Sequence, residues 1–555
     1  MRLLKAIITM SLALLAISSC TNNTTVSPGW YASGNGGIVA AGKPASAQAG
    51  IDILSQGGNA VDGAVAVIFC LAVSDYGSFC IGGEVPFIFY NSENGKVKVF
   101  NGMGGAPGDQ DAIDWCYQNG IPDQGIRAST VPSAVSTCLT ALEMNGTMTL
   151  EQIITPTLAL LDTGSEPWYE NLAKTFRKLI ETEKNTEGTR EQKIRKARDR
   201  FYKGDIADEL NDYYIRSGGF LRKSDLEAHR TTVEEPVSFQ YRDYSVYKCN
   251  TWTQGPVLLQ SLRLLEKFDI ESMGHLSADY IHVTTEAMKL AYADRDKYYG
   301  DPAFVDVPLQ QLLSDEYTDV RWPLIDMNQS SEEIRPGNPF NLAAIDGPGL
   351  YWGGGHGTTN CVVADRWGNV VAATPSSNSE YGICESLGIA HNTRLSSLNT
   401  QEGHPNSLQP GKRPRITLTP TIVIRDGKPV MAISVAGGDW QDQVALQLFL
   451  DNVEFGLKPK EAISSPRFQT YQVEDSFNPS SDPVSRMLNI GVLGIYSTDP
   501  SLLDDLRDRG HIIEIVTEIA RPVIVYMDQE TGIAYAAGEP VYKHCAAINI
   551  PESVR

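Results

Sequence analysis

The chain has 555 residues, with 46 Lys+Arg against 67 Asp+Glu and a formal net charge of −21. Its 42% hydrophobic and 20% charged residues suit a packed protein and are too apolar for a disordered one, and the length allows two or three ordinary domains or one large α/β unit. So acidic a chain repels phosphate backbones, and it has no basic run interleaved with aromatics, so nucleic acid is set aside as a partner.

The opening MRLLKAIITMSLALLAISSC places Arg2 and Lys5 ahead of a short apolar core over 6–17. That core is shorter than the roughly 18–20 residues that span a bilayer, so it reads as an export signal. Nothing later in the chain is long and apolar enough to span a membrane. Ile17-Ser18-Ser19-Cys20 resembles a bacterial lipobox, which would make Cys20 the lipidated first residue; the alternative is a plain signal peptide cut nearby. The expected location is the cell envelope, periplasmic or anchored at the outer membrane, with membrane contact only through the lipid. Of nine cysteines, eight would then remain, none with CxxC spacing. Cys70, inside the apolar run 66–73, reads as a buried small hydrophobe, and mostly buried free thiols are expected.

Residues 46–73 hold two apolar-periodic stretches around Gly57-Gly58-Asn59, which predicts helix–turn–helix. Residues 85–100 predict a hairpin across Asn94-Gly95. Residues from about 127 to 300 read as mainly helical, with 174–203 a charge-dense solvated face. After Ser330 Gly and Pro become frequent, ending in Gly353-Gly354-Gly355-His356-Gly357, and the chain then turns β-rich. Hairpins are predicted from 361–364 and 370–374, from 421–425 and 429–434 around Asp426-Gly427, and from 523–527 and 534–537. A helix is predicted from about Gln441 to Phe455. Hairpins mixed with long helices favour antiparallel α/β layering over a doubly wound parallel sheet.

There is no GxSxG elbow, no HExxH and no Walker loop. The run Gly102-Met103-Gly104-Gly105-Ala106-Pro107-Gly108 has the wrong spacing for a dinucleotide fingerprint, and Pro107 would interrupt the turn into a helix. The eight histidines are scattered singly, so no metal cluster is visible. What remains is Gly357-Thr358-Thr359-Asn360, a Gly-rich stretch running into a hydroxyl residue that opens a strand. It is either a plain loop before a strand or a bond that the Thr358 hydroxyl cuts itself. An N-terminal Thr carries a nucleophile and, in its own freed α-amine with a pKa of about 7.7–8, a base. Gly357 would let the backbone distort for the N→O acyl shift.

Eight motif blocks in order make the chain similar to the gamma-glutamyltransferase family. They are Ala49-Gly50-Ile51-Asp52-Ile53-Leu54 with Gly57-Gly58-Asn59-Ala60-Val61-Asp62-Gly63-Ala64, then Gly82-Gly83-Glu84, Val131-Pro132-Ser133, 201–207, 286–295, the Thr358 segment, Lys412-Arg413-Pro414-Arg415 with 418–421, and Ala436-Gly437-Gly438-Asp439. The resemblance implies an N-terminal-nucleophile hydrolase: an α/β (α+β) four-layer αββα sandwich, self-cleaved into a large subunit (21–357) and a small catalytic subunit (358–555) after a signal peptide (1–20). It implies Thr358 as nucleophile, with Thr359 the rival, Ser376 as the second hydroxyl beside it, and Gly437 and Gly438 as oxyanion-hole glycines. No metal or organic cofactor is implied.

The substrate clamp departs from the family pattern. Members typically hold the glutamyl α-carboxylate with an Arg and paired serines, and the α-amine with Asn, Gln and Asp. Here 100–107 contains no basic residue, Ile416 and Thr417 replace the serines, and Arg394 and Ser397 fall on the Gln and Asp positions; Asn378 is retained. The pattern is similar to the divergent branch that includes cephalosporin-acylase-like members. Arg394 either faces an acyl group ending in a carboxylate without a free α-amine, such as a glutaryl-like chain, or pairs with a protein carboxylate. The expected function is cleavage of gamma-glutamyl or similar acyl amides, with glutathione-like donors, through a Thr acyl-enzyme that passes its acyl group to water or an amine. The alternatives are an acylase of glutaryl-like amides and an inactive envelope binding protein on this scaffold.

Overall fold

A computed structural model describes residues 29–342, 357–377, 382–487, 489–541 and the strand Cys545–Ala547. Cys20 and Asn378 lie outside these residues, as does the glycine run 353–356.

The strands of two seven-stranded sheets are, in chain order, β1 (Tyr31–Gly34), β2 (Gly37–Ala41), β3 (Phe87–Asn91), β4 (Lys96–Phe100), β5 (Val233–Glu234), β6 (Val237–Tyr241), β7 (Tyr244–Lys248), β8 (Cys361–Asp365), β9 (Val370–Ala373), β10 (Thr421–Arg425), β11 (Lys428–Ala436), β12 (Arg521–Met527), β13 (Ala534–Gly538) and β14 (Cys545–Ala547). One sheet runs β14-β2-β8-β9-β3-β4-β5, the other β1-β13-β12-β11-β10-β7-β6. Neighbouring strands in both are antiparallel throughout.

Period-2 alternation sorts the side chains into layers. On β8, Val362 and Ala364 point into the core between the sheets, together with Ile422, Ala432, Val523 and Val525 of the second sheet. Cys361 and Val363 point the other way, against the helices Ala60–Ser74 and Ala134–Asn145. Met431, Ile433 and Val435 of β11 pack outward against Pro256–Leu265, Ala278–Tyr298 and Gln441–Val453. The result is the αββα sandwich.

The helix–turn–helix is Pro44–Ser55 and Ala60–Ser74. Asn59 caps the second helix, accepting from Val61 N at 2.9 Å and Asp62 N at 3.1 Å, while Asp62 accepts from Asn59 N at 3.0 Å. In the β10–β11 turn Asp426 (φ 52°) and Gly427 (φ 73°) are both left-handed, the geometry an Asp-Gly hairpin uses. Residues 127–300 are mainly helical, as expected, with the short strands β5, β6 and β7 set between the helices. Val237-Ser238-Phe239-Gln240-Tyr241 alternates with period 2, and β6 forms the edge of its sheet. The charge-dense stretch lies on the helices Tyr169–Asn185 and Arg190–Lys203, each of which buries one apolar face, Leu172, Phe176 and Leu179 on the first and Ile194, Ala197 and Phe201 on the second.

Cys70, Cys80, Cys116, Cys138, Cys249, Cys361 and Cys384 are all buried, and none of these seven is in a disulfide. Among the described residues no helix is long and apolar enough to cross a membrane.

Candidate active site

β8 and β9 continue toward one end of their sheet as a looser ladder that carries the hydroxyl residues. Thr358 bridges Ser376, and Ser376 in turn bridges Glu84. Thr359 N donates to Pro375 O at 2.9 Å, Ser376 N to Glu84 O at 3.0 Å, and Glu84 N to Ser376 O at 2.9 Å. A Cβ on Gly83 would collide with the backbone of Ser376, so the Gly82-Gly83-Glu84 motif is what lets this loop lie against the ladder.

Thr358 Oγ1 lies 3.2 Å from Ser376 Oγ, and both residues are buried. Ser376 Oγ donates to the carbonyl of Gly357, the residue before Thr358, and Gly357 is left-handed (φ 86°). Thr359 points elsewhere: its buried hydroxyl lies against Gly42, where a Cβ would collide with it. Of the two adjacent threonines, Thr358 is the one beside Ser376.

Gly437 and Gly438 reach the same end of the sandwich from the other sheet. Asn360, two residues after Thr358, donates from Nδ2 to Arg521 O at 2.9 Å, and Arg521 is the register partner of Ala436. Ser434 Oγ on β11 lies 2.9 Å from Ala373 O and 3.0 Å from Thr374 Oγ1, a second stitch between the sheets. β11 then ends in Gly437 (φ 156°) and Gly438 (φ 58°), both at φ values that favour glycine. A Cβ on Gly437 would stand 2.5 Å from Ala520 Cβ.

The turn is held by buried charge. Asp439 is ion-paired with Arg295 and accepts from Ser476 N at 3.1 Å and Ser476 Oγ at 2.6 Å. Lys248 and Asp442 form a fully buried pair at 2.8 Å at the start of the helix Gln441–Val453. Burial pushes the Asp442 carboxyl up to about 6 against the pull of Lys248.

Arg394 lies on Ser376 itself. Its Nη2 donates to Ser376 Oγ and its Nε to Glu84 Oε1 at 2.5 Å, and both residues of this ion pair are buried. The guanidinium also stands 5.4 Å from the ring centre of Phe477, which packs beside Gly438. The reading of Arg394 as a partner for an acyl carboxylate is therefore replaced by an internal ion pair. A lone guanidinium in so buried a place needs a counter-ion, and Glu84 supplies it.

Ser397 is buried with its hydroxyl unpartnered, at the end of the short turn Arg394–Ser397. Thr417 lies at the foot of the helix Gln441–Val453: with its amide nitrogen turned toward the two carbonyls, Gln441 donates to Thr417 O at 3.1 Å and to Val435 O at 2.9 Å. The glycine-rich run at 102–105 is tight packing, since Cβ atoms on Gly102, Gly104 and Gly105 would strike the backbones of Val85, Val131 and Gly411.

Sequence reasoning passed over three contributors. Glu84 entered only as part of a glycine motif. Asn392 went unnoticed, although its amide gathers the loops, donating to Gly82 O at 2.8 Å and accepting from Thr130 N and Arg394 N at 3.0 Å each. Phe477 carries no chemical signature. The Arg394–Glu84 pair joins residues 310 apart, so the one usable signal was Arg394 itself, a cation at a position where the family has a Gln.

The gamma-glutamyltranspeptidase family profile matches residues 46–167 and 168–548. The chain belongs to the gamma-glutamyltranspeptidase family. It is 32% identical over 503 residues to the glutathione hydrolase proenzyme of Bacillus subtilis (strain 168), covering 82% of this chain and 85% of that one. It is 30% identical over 481 residues to the acylase ACY 1 proenzyme of Pseudomonas sp. (strain SE83), covering 79% and 83%. A cephalosporin acylase from Bacillus halodurans superposes with a TM-score of 0.78 at 25% identity over 94% of this chain and 97% of that one. This member of the gamma-glutamyltranspeptidase family is thus an enzyme of gamma-glutamyltransferase type, an N-terminal-nucleophile amidohydrolase with acylase-like relatives.

Proposed function

We propose that this family enzyme cuts its own chain before Thr358 and then uses Thr358 to cleave gamma-glutamyl or similar acyl amides, glutathione-like donors among them. The observation that carries the reading is the Thr358 hydroxyl 3.2 Å from Ser376, with Ser376 donating to the Gly357 carbonyl. In self-cleavage, Thr358 Oγ bonds to the Gly357 carbonyl carbon, the C–N bond breaks, and the hydroxyl proton ends on the Thr358 nitrogen. Water then hydrolyses the ester, leaving a carboxylate on Gly357 and a free α-amine on Thr358.

In turnover the same oxygen attacks the substrate amide carbonyl, and the α-amine carries the proton to the leaving amine. The Gly437-Gly438 turn supplies backbone N–H groups for the tetrahedral oxyanion. Water or an amine acceptor then releases the acyl group. The large fragment is 21–357 and the small one 358–555. Export follows from the signal segment, with Cys20 lipidated and the enzyme held in the cell envelope.

A second reading, an acylase of glutaryl-like amides lacking the α-amine, is favoured by one feature: 100–107 offers no basic residue to hold an α-carboxylate. Comparing γ-glutamyl-anilide with glutaryl-anilide separates the two. The primary test is denaturing electrophoresis, with two fragments expected from the wild type and one uncut chain from Thr358→Ala. An uncut wild type would overturn the proposal.

A further inference from the structure

We infer that Arg394, locked in place by Glu84, is a positioning residue that fixes the Ser376 hydroxyl as a donor to the Gly357 carbonyl and so sets the rate of self-cleavage. This rests on Thr358 being the self-cleaving nucleophile, as proposed above.

The argument is a count of donors and lone pairs. A serine hydroxyl has one proton and two acceptor sites. Ser376 Oγ is bonded with the Gly357 carbonyl, the Arg394 Nη2 and the Thr358 hydroxyl, and the Glu84 carboxylate, which accepts from Arg394 Nε, also lies against it. A carbonyl can only accept and a guanidinium can only donate. The Ser376 proton therefore goes to Gly357 O, one lone pair takes Arg394 N–H, and the other takes the Thr358 proton. Every site is then filled, and with Glu84 accepting from Arg394 Nε the Gly357 carbonyl takes the Ser376 proton.

That arrangement has a chemical direction. With its proton on Ser376, Thr358 Oγ turns its lone pairs elsewhere, free to meet the neighbouring carbonyl carbon. As the Oγ–C bond forms, negative charge develops on Gly357 O, where the Ser376 proton already points. The Arg394 cation draws electron density from the Ser376 oxygen and makes its proton a stronger donor. Ser376 thus serves the electrophile in self-cleavage: as the Oγ–C bond forms, the Thr358 proton passes to Ser376 Oγ while the Ser376 proton passes to Gly357 O, and a proton reaches the Thr358 nitrogen as the C–N bond breaks.

Glu84 makes the cation tolerable and holds it still. Arg394 and Glu84 are both buried, and the backbone of Glu84 is paired on both sides with Ser376, so the carboxylate and the serine move as one piece. Asn392 Oδ1 accepts from Arg394 N at 3.0 Å and fixes the turn from the other side. Burial pushes the Glu84 carboxyl up to about 7, opposed by Arg394, the charged group against it. His391, beside Gly82, is driven down to about 4 by burial and is neutral over the range in which Glu84 titrates.

The test follows self-cleavage of freshly translated full-length chain on denaturing gels. Arg394→Ala is expected to slow the cut by about 10²-fold, the scale of losing one oxyanion donor, and millimolar methylguanidinium is expected to restore much of the rate by filling the vacated space. Glu84→Gln, which keeps the side-chain volume, is expected to remove the fall in rate that the wild type shows as pH drops through about 7. Cutting by Arg394→Ala within about twofold of wild type, no rescue, or an unchanged pH profile in Glu84→Gln would each overturn the inference. Thr358→Ala serves as the control: if it is cut, or the wild type is not, the nucleophile assignment has failed rather than the role of Arg394.

Discussion

Thr358 and Ser376 face each other across a two-residue ladder, hydroxyl to hydroxyl at 3.2 Å, while neighbouring Thr359 is turned against Gly42. Alternation along an extended backbone sends consecutive side chains to opposite faces, so one threonine of the pair meets Ser376 and the other cannot. Self-processing by this pair should depend on the donor that Ser376 directs at Gly357. Ser376→Ala is expected to retard self-cleavage by about 10²-fold and Ser376→Thr to retain most of it. Time courses on denaturing gels measure both.

The turn after β11 is intolerant of a side chain. Gly437→Ala would force a Cβ to within 2.5 Å of Ala520 Cβ. The expected cost is about 1–3 kcal/mol, typical of overpacking a closed site. It should appear as a lowered thermal midpoint together with a reduced kcat, because the same turn carries the proposed oxyanion donors.

Lys248 precedes the proposed cut and Asp442 follows it, so their buried 2.8 Å pair ties the two fragments together. Removing one partner of such a pair strands a charge and costs about 3–5 kcal/mol, whereas replacing both with apolar groups is often close to neutral. Lys248→Met is expected to lower the midpoint of thermal unfolding strongly, and Lys248→Met with Asp442→Leu to recover most of the loss. Calorimetry on the cleaved enzyme checks both variants.

Buried thiols are slow nucleophiles. Burial pushes Cys70 and Cys116 up to about 11. The seven buried cysteines named above are expected to ignore a disulfide reagent in the native enzyme and to react together on denaturation. Absorbance titration with and without denaturant gives the count.

Much of the fold could be read from local chemistry. Asp426-Gly427 marks its hairpin because both residues must turn left-handed, and Asn59 marks a helix start because its side chain caps the turn. The segment of the proposed nucleophile stood out for a similar reason, as glycine followed by a hydroxyl residue at a strand entry. The strands β5 to β7 were hidden between long helices, and β6, half-exposed at a sheet edge, lacks a continuous apolar run. Arg394 was found but its partner was not. The choice between a substrate carboxylate and a protein one depends on which residue the fold brings within 2.5 Å, and Glu84 is 310 positions away. Asn360 and Asn392 likewise act through backbone contacts that only the tertiary structure creates.

The most direct test is Edman sequencing of the smaller fragment of purified enzyme. The account predicts that it begins at Thr358 and reads Thr-Thr-Asn-Cys-Val-Val. A single intact polypeptide, or a fragment that begins at any other residue, would contradict it.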